Sequence, residues 1–294
     1  EGKIYALPFA IDTLSMIYNR DIFNQESVIT PPATWDDFIA LVPKITRVDQ
    51  SRRIERAAAA IGGSTKNIRR AADLLSLLML QNGVPMVTAD ATSPKFSTHE
   101  GAEALTFYTQ FTNTGSNVYT WNNGLPNALD LFIQGKVAII FDYAPTLATI
   151  RERNPLMNID TAPVPQRKGT TQPVTYASYG GYAVARQSLN PDLSWEFILS
   201  SATDKNLMSG YALKSGTIPA LTALLNTYLE DPQLNVFARQ TLVARAWQQV
   251  DALAVTNIFS DMIALVIENR ASVDTALRQA ESEIAQIMSR RAAY

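Results

Sequence analysis

The chain has 294 residues, more than a typical single domain, and its length predicts about two lobes. Its formal net charge of −2 excludes the basic excess of a nucleic-acid binder, and the absence of cysteine excludes disulfides, thiolate nucleophiles and cysteine-bound metals. Its hydrophobic content of 47% is ordinary for a globular protein, and no stretch approaches the roughly 20 apolar residues of a membrane span.

The beginning of the chain predicts two strands followed by a helix. Residues 4–10 are strand-like with an interruption at Pro8, and residues 14–18 continue the apolar run. Thr34 and Asp37 have the spacing of a capping box, in which each residue satisfies a backbone amide of the other. A helix is therefore expected to begin at Thr34.

The middle of the chain predicts three helices and a buried strand. Residues 69–81 form a broadly apolar helix, and Ser97 with Glu100 forms a second capping box before the next one. Residues 126–134 read as a third helix that begins with proline. The apolar run 136–141 that follows is typical of a strand buried on both faces of a parallel sheet.

The last part of the chain returns to a strand and ends in helices. Residues 174–185 are strand-like, and Asn190-Pro191 begins a helix. Two apolar stripes of helical period then occupy the last 40 or so residues, and burial against a sheet explains them best. The alternation of strands and helices indicates the α/β class.

Motifs for catalysis are scarce. The only histidine, His99, lies in the first turn of a predicted helix, and the chain contains no G-x-S-x-G, H-E-x-x-H, Walker or G-x-G-x-x-G motif. The basic stretch 66–70 reads as a solvated helix face. Carboxylates that converge from distant positions, as in a glycosidase, leave an enzyme as an open alternative.

Six segments, in this order, resemble family 1 extracellular solute-binding proteins, a family that includes the maltodextrin-binding proteins. The first runs from Gly2-Lys3 through Leu7-Pro8 to Tyr18-Asn19 and Phe23, and the P-P-x-T-W-D-D-F segment 31–38 follows it. The others are Phe132-x-x-Gly135-Lys136-Val137-Ala138, Gly180-Gly181-Tyr182-Ala183-Val184 with Asn190-Pro191 and Trp195-Glu196-Phe197, Ser215-Gly216-Thr217-Ile218-Pro219, and residues 272–277. No segment is decisive alone, but their shared order makes coincidence a poor explanation.

The resemblance implies a two-lobed α/β fold of the periplasmic-binding-protein type (type II), with an incomplete amino-terminal lobe. Residues 1–13 would be the remnant of the first lobe and its crossover strand, and residues 14–176 the carboxy-terminal lobe. Residues 177–235 would cross back to the first lobe, and residues 236–294 would complete the carboxy-terminal lobe with helices. A ligand would lie in the cleft, and the lobes would close on it.

The candidate ligand contacts are polar groups and aromatic faces, because a sugar presents hydroxyls and weakly polar C–H faces. Asp12 is the first candidate, since it matches an acidic ligand position of the maltodextrin-binding proteins; a turn or hinge carboxylate is the alternative. Ser64 and Asn67 lie in a loop after a predicted strand, where α/β proteins tend to bind ligands. Helix capping would explain Ser64 equally well.

The remaining candidates supply ring faces or close backbone approach. Trp121 lies in a polar loop, and Tyr143 follows the carboxyl end of the buried strand. Tyr179 stands beside Gly180 in the second crossover, and Trp247 is the weakest candidate because core packing explains it as well. The family's stacking tryptophan near Tyr143 is absent here, which puts maltodextrin itself in doubt.

The expected function is capture of a mono- or oligosaccharide without catalysis or cofactor, followed by delivery to the permease of an ABC importer. A monomer outside the cytoplasm is expected, periplasmic or on the cell surface, with a lipid anchor on an upstream segment. A carbohydrate-active α/β hydrolase using Asp or Glu is the alternative from another class. A receptor subunit that presents its ligand to a signalling partner is the third.

Overall fold

The computed structural model describes residues 4–292. Gly2 and Lys3 of the first family-like segment, and positions 1, 293 and 294 of the expected domain limits, lie outside the described residues. The described strands are β1 (Leu7–Thr13), β2 (Ser15–Asn19), β3 (Arg47–Val48), β4 (Ile54–Ala59), β5 (Val137–Asp142), β6 (Ile159–Ala162), β7 (Thr175–Tyr182), β8 (Ile218–Pro219) and β9 (Ala244–Arg245).

The helices alternate with the strands, as the α/β prediction requires. They are α1 (Arg20–Gln25), α2 (Trp35–Ile45), α3 (Ala71–Gln81), α4 (His99–Thr109), α5 (Ala128–Ile133), α6 (Pro145–Arg153), α7 (Pro191–Thr203), α8 (Lys205–Ser215), α9 (Thr222–Glu230), α10 (Asn235–Gln240), α11 (Ala252–Ile267) and α12 (Val273–Ala292). Short 3₁₀ turns at Gln110–Thr112 and Thr241–Val243 follow α4 and α10. No helix within residues 4–292 has both the length and the apolar character to cross a bilayer.

The strands form two sheets, and one continuous segment of chain contributes a strand to each of them. The five-stranded sheet has the order β3-β4-β5-β2-β6, and the four-stranded sheet has the order β8-β1-β7-β9. β1 belongs to the second sheet and β2 to the first, with only Leu14 between them. The chain therefore passes from one sheet to the other near Leu14, where a crossover was expected.

The predicted buried strand is β5, and all of its residues are buried. It runs parallel to β4 on one side, as predicted, but antiparallel to β2 on the other. The mixture arises because the chain enters this sheet directly from β1. An apolar run indicates that a strand is buried on both faces, but it does not indicate whether each neighbouring strand runs parallel or antiparallel to it.

The helix starts follow local capping chemistry, with one correction. The capping box of Thr34 and Asp37 is present at the start of α2. The predicted cap of α4 at Ser97 is wrong, because the Thr98 side chain accepts the hydrogen bond from the Gly101 amide instead. α3 begins at Ala71, two residues later than predicted.

The helices divide between the two sheets. α11 and α12 pack against each other and against α3 and α4, on the side of the five-stranded sheet. α7 and α8 pack together beside β1 and β8, on the side of the four-stranded sheet. α10 packs on α9 and β1 and so belongs with the four-stranded sheet, although residues from 236 onward were expected in the other lobe.

Candidate functional site

Asp12, near the end of β1, is a buried carboxylate at the passage between the sheets. Its Oδ1 accepts hydrogen bonds from the backbone amides of Thr13 at 2.9 Å and Ala144 at 3.3 Å, the latter at the start of α6. Its Oδ2 accepts none from residues 4–292. Every fully buried side-chain polar atom in the described part has a partner, so Oδ2 opens onto solvent-accessible space.

Burial dominates the titration of Asp12. Removal of the carboxylate from water raises its pKa from the ordinary 3.8 to about 7, and Asp142 nearby adds to the increase. The two backbone amides and the Arg70 guanidinium act in the opposite direction. Near neutral pH, Asp12 can therefore either accept or donate a hydrogen bond through its unoccupied oxygen.

Asp142, at the carboxyl end of β5, holds two arginines of the chain preceding α3. Its Oδ2 accepts from Arg69 Nη2 at 2.8 Å, and its Oδ1 accepts from Arg70 Nε at 2.9 Å and from the Tyr143 amide at 2.9 Å. Arg69 Nη2 also donates to Thr146 Oγ1 at 2.8 Å. A buried carboxylate with partners on both oxygens holds the two guanidinium groups at this edge of the sheet.

Tyr143 is tied into the same network and has no open face. Its hydroxyl donates to Asp73 Oδ2 at 3.1 Å, and Arg70 Cζ lies over its ring at 4.5 Å from the centroid. The side chain is 5% exposed, and burial raises its pKa and that of Asp73. Stacking of a ligand on Tyr143 would require displacement of Arg70.

The loop with Ser64 and Asn67 is closed by a second loop. Asn67 Nδ2 donates to two carbonyls within residues 122–125, both at 3.0 Å, and its Oδ1 accepts from Trp121 Nε1 at 3.1 Å. Asn123 bonds both the amide and the hydroxyl of Ser64. Trp121 is fully buried, contrary to its expected role as an exposed stacking face, and Ser64 and Asn67 are 3% exposed. These side chains hold two loops together.

Trp247 also lies within packed structure. It is 7% exposed, its Nε1 donates to Ser76 Oγ of α3 at 3.3 Å, and its ring stacks on Phe259 of α11. Core packing, the alternative to a ligand contact at this position, describes its surroundings.

Tyr179 is exposed but lies away from Asp12. In the antiparallel pairing of β1 with β7, Ile11 faces Tyr179 and Asp12 faces Ser178. Successive side chains of a strand point to opposite faces, so Tyr179 and Asp12 lie on opposite faces of the sheet. Tyr179 and Ile11 line a separate cavity of about 610 Å³. The structure does not bring Tyr179 and Asp12 together.

Gly180 is explained by packing. A Cβ at this position would lie 2.7 Å from the ring of Phe9, and that ring stacks on Tyr182. A side chain at this position would require the half-buried ring of Phe9 on the neighbouring strand to move.

Of the eight predicted residues, the structure places Asp12 and Tyr143 in one cluster, linked through the Ala144 amide. Sequence reasoning missed Arg69, Arg70 and Asp142. The two arginines precede α3 and do not lie on a helix face, and both bond Asp142, although Arg69 remains half exposed, as expected of a solvated residue. The sequence pattern that could have predicted this cluster is an acidic residue at the end of a buried strand, Asp142, together with a pair of arginines just before a helix, Arg69 and Arg70. Both features belong at the carboxyl edge of a sheet.

The cluster favours hydrogen bonding over metal binding. Within residues 4–292, no group of three or more histidine, aspartate or glutamate side chains is arranged to hold a metal ion. Two arginines stand beside three carboxyl groups, those of Asp142, Asp73 and Asp12. Such a surface offers both donors and acceptors to an uncharged polar ligand.

Comparison with known proteins agrees with this fold. The chain is 23% identical over 306 aligned positions to a Brucella abortus (strain 2308) protein provisionally named a binding protein, covering 99% of this chain and 69% of that one. It is 24% identical over 242 positions to the maltotriose-binding protein of Pyrococcus abyssi (strain GE5 / Orsay), covering 80% of this chain and 47% of the relative. The crystal structure of the cyclic α-maltosyl-1,6-maltose binding protein of Arthrobacter globiformis superposes with a TM-score of 0.76 at 23% identity, covering 98% of this chain and 73% of that one.

The class of protein is thus a two-lobed α/β binding protein, as the resemblance implied. The profile of the bacterial extracellular solute-binding proteins matches residues 1–236, and the chain belongs to that family. Membership confirms the family expected from the ordered segments and indicates a place of action outside the cytoplasm.

Proposed function

We propose that this protein captures a mono- or oligosaccharide between its lobes and delivers it to the permease of an ABC importer. The observation that carries the proposal is Asp12, a buried carboxylate with one unoccupied oxygen where the chain passes between the sheets. A carboxylate in this environment makes strong hydrogen bonds to hydroxyl groups. The names of the Pyrococcus and Arthrobacter proteins support a saccharide as the ligand.

Arg69 would provide the donors that complement Asp12. One of its nitrogens, Nη2, is committed to Asp142 and Thr146, and the side chain is 53% exposed. Its Nε and Nη1 have no partner in the described part of the chain. A guanidinium anchored at one nitrogen presents the others in a fixed direction, which suits adjacent hydroxyl oxygens of a sugar ring.

The lobes of the proposed protein follow the two sheets. We assign residues 4–13 and 175–245, which contain all strands of the four-stranded sheet, to the first lobe and residues 14–174 to the second. α10 packs with the first lobe and β9 pairs with β7, so we place the return of the chain to the second lobe after Arg245 and not at residue 236. Capture and release by such lobes require neither a cofactor nor bond cleavage.

The test is a binding experiment with glucose, maltose, maltotriose and mannobiose as probes. A ligand at 100 times its Kd should stabilise the protein by about 2.7 kcal/mol, which thermal unfolding detects. Asp12→Asn should weaken that binding, whereas Asp192→Asn, an exposed aspartate of α7, should not. Sugar analysis after incubation should show no consumption.

Two results would overturn the proposal. The absence of a thermal shift with every probe would exclude these saccharides. Turnover of a probe that depends on one carboxylate would instead favour the hydrolase.

A further inference from the structure

Gln240, the last residue of α10, lies at the junction of the two sheets and is 5% exposed. Its Oε1 accepts a hydrogen bond from the Val164 amide at 3.2 Å. Its Nε2 donates to the Leu14 carbonyl at 3.3 Å, to the hydroxyl of Ser15 and, at 3.5 Å, to the hydroxyl of Thr13. One buried amide therefore bonds two separate segments of chain.

Two of the four partners of Gln240, Ser15 and Val164, belong to the half built on the other sheet. Gln240 itself is carried by α10, which packs on α9 and β1 of the four-stranded sheet. Ser15 begins β2 and Val164 follows β6, both strands of the five-stranded sheet. The side chain consequently bridges the two halves of the molecule at the point where β1 becomes β2.

The chemistry of the bridge depends on an amide. An amide side chain is neutral and offers a donor and an acceptor side by side, and Gln240 uses both. Loss of either function would leave a buried backbone or hydroxyl group with fewer partners, which is costly away from water. A rotation of one sheet against the other must stretch or exchange these bonds.

We propose that Gln240 is a positioning residue that sets the angle between the two sheets and, through that angle, the width of the solute cleft. The consequence for solute capture rests on the proposed function. The restraint on the angle does not, and it can be measured without any ligand.

The first experiment measures the distance between the halves by pulsed electron paramagnetic resonance. Because the chain contains no cysteine, Asp192→Cys in α7 and Arg278→Cys in α12 introduce the only two labelling sites, both exposed. In this background we expect Gln240→Met to give a wider distance distribution than the parent. Methionine keeps the volume of the side chain but makes none of the four hydrogen bonds.

Thr120→Val is the matched control. Thr120 is also buried and its hydroxyl bonds two distant segments, at the Thr46 hydroxyl and the Ala58 amide, but both lie in the half built on the five-stranded sheet. We expect this variant to lose stability and to keep the parent distance distribution. Equal broadening in both variants, or none in Gln240→Met, would overturn the proposal.

Gln240→Glu provides a rescue that a purely structural role would not show. A protonated carboxyl group keeps an acceptor and one of the two donor hydrogens of the amide, whereas a carboxylate can only accept. Since burial raises carboxyl pKa values, we expect a parent-like distribution at about pH 5 and a broadened one at about pH 9. If the width of the Gln240→Glu distance distribution, relative to that of the parent, were the same at both pH values, the assignment would be contradicted. If Gln240→Met does not fold, the test rests on Gln240→Glu alone.

Maltose titration of the unlabelled variants then separates this inference from the proposed function. Faster dissociation of maltose from Gln240→Met than from Thr120→Val would connect the angle to capture. If neither the parent nor the variants bind any saccharide probe, the proposed function fails, while the distance distributions still decide the role of Gln240.

Discussion

The two sheets differ in how completely their elements are buried. β2 and β5, the central pair of the five-stranded sheet, bury every residue. In the four-stranded sheet, β7 is buried only at its first three residues, and α7 beside it buries one of its thirteen residues, Ile198. Large apolar side chains on that side remain exposed, including Phe197 at 69% and Leu213 at 85%.

This difference in burial indicates which of the two halves contributes more to the stability of the described chain. Burial of apolar surface is the main favourable contribution to folding, so the five-stranded half should open at a higher free energy than the four-stranded half. The candidate site is built mainly on the stable half, since Asp142, Arg69 and Arg70 all belong to it. Asp12 reaches that half from the less buried sheet.

The strongest test of the comparison replaces one phenylalanine in each half. Phe38 in α2 is fully buried against Trp35 and Phe111, and Phe38→Ala should lower the free energy of unfolding by about 3–5 kcal/mol. Phe197→Ala in α7 should cost no more than about 0.5 kcal/mol. Urea unfolding of both variants measures the difference, and equal losses would show that the exposed half contributes as much.

Asp12 provides a test at the passage between the halves. Because its folded-state pKa is raised from 3.8 to about 7, the stability that it contributes is fully present below pH 3.8 and is lost as the pH rises to about 7. At about 1.4 kcal/mol per pKa unit, the loss is on the order of 4 kcal/mol at most.

Asp12→Asn should remove this dependence, since asparagine can accept from the same two amides without charge. The variant should match the parent near pH 4 and exceed it in stability near pH 8, although the proposed function requires it to bind sugar less well. Unfolding midpoints across that range measure the effect, with Asp192→Asn as the control. If the unfolding midpoints of Asp12→Asn and of the parent changed in parallel with pH, the prediction that ionisation of Asp12 lowers stability would be refuted.

Substitution of Asp142 tests how much its ion pairs with Arg69 and Arg70 contribute to stability. Asp142→Ala removes the common partner of Arg69 and Arg70, and the free energy of unfolding should fall by about 2–3 kcal/mol. The loss stays at the low end for such pairs because Arg69 is half exposed and can be hydrated. Asp130→Ala, which breaks the exposed pair with Arg153, should cost at most about 1 kcal/mol.

Tyr179 gives the smallest expected effect. Since it lies on the face of the sheet opposite Asp12, Tyr179→Ala should leave the affinity for a saccharide probe unchanged while Asp12→Asn weakens it. Calorimetric titration of both variants with the probe that binds best would check this. A large loss of affinity in Tyr179→Ala would place the ligand on the other face of the sheet.

Local signals predicted the elements well where a short segment contains the whole cause. The capping box at Thr34 and the buried strand β5 are examples, because capping and apolar runs depend on neighbours within a few residues. Trp121 shows the limit. Its polar neighbours suggested exposure, but the second loop folds over it and a Cβ at Gly63 would lie 2.7 Å from its ring.

The amino-acid sequence by itself determined the α/β class, the order of most elements, the family and the place of Asp12 at the passage between sheets. Only the tertiary structure decided which polar side chains form hydrogen bonds within the protein and which remain free to bind a ligand. Asn67 and Trp121 are 54 residues apart, and Arg70 and Asp142 are 72 apart. Gln240 and Ser15 are 225 apart. The physical reason is that a hydrogen bond depends on distance and angle in space, and no local pattern encodes the partner that the fold brings to each side chain.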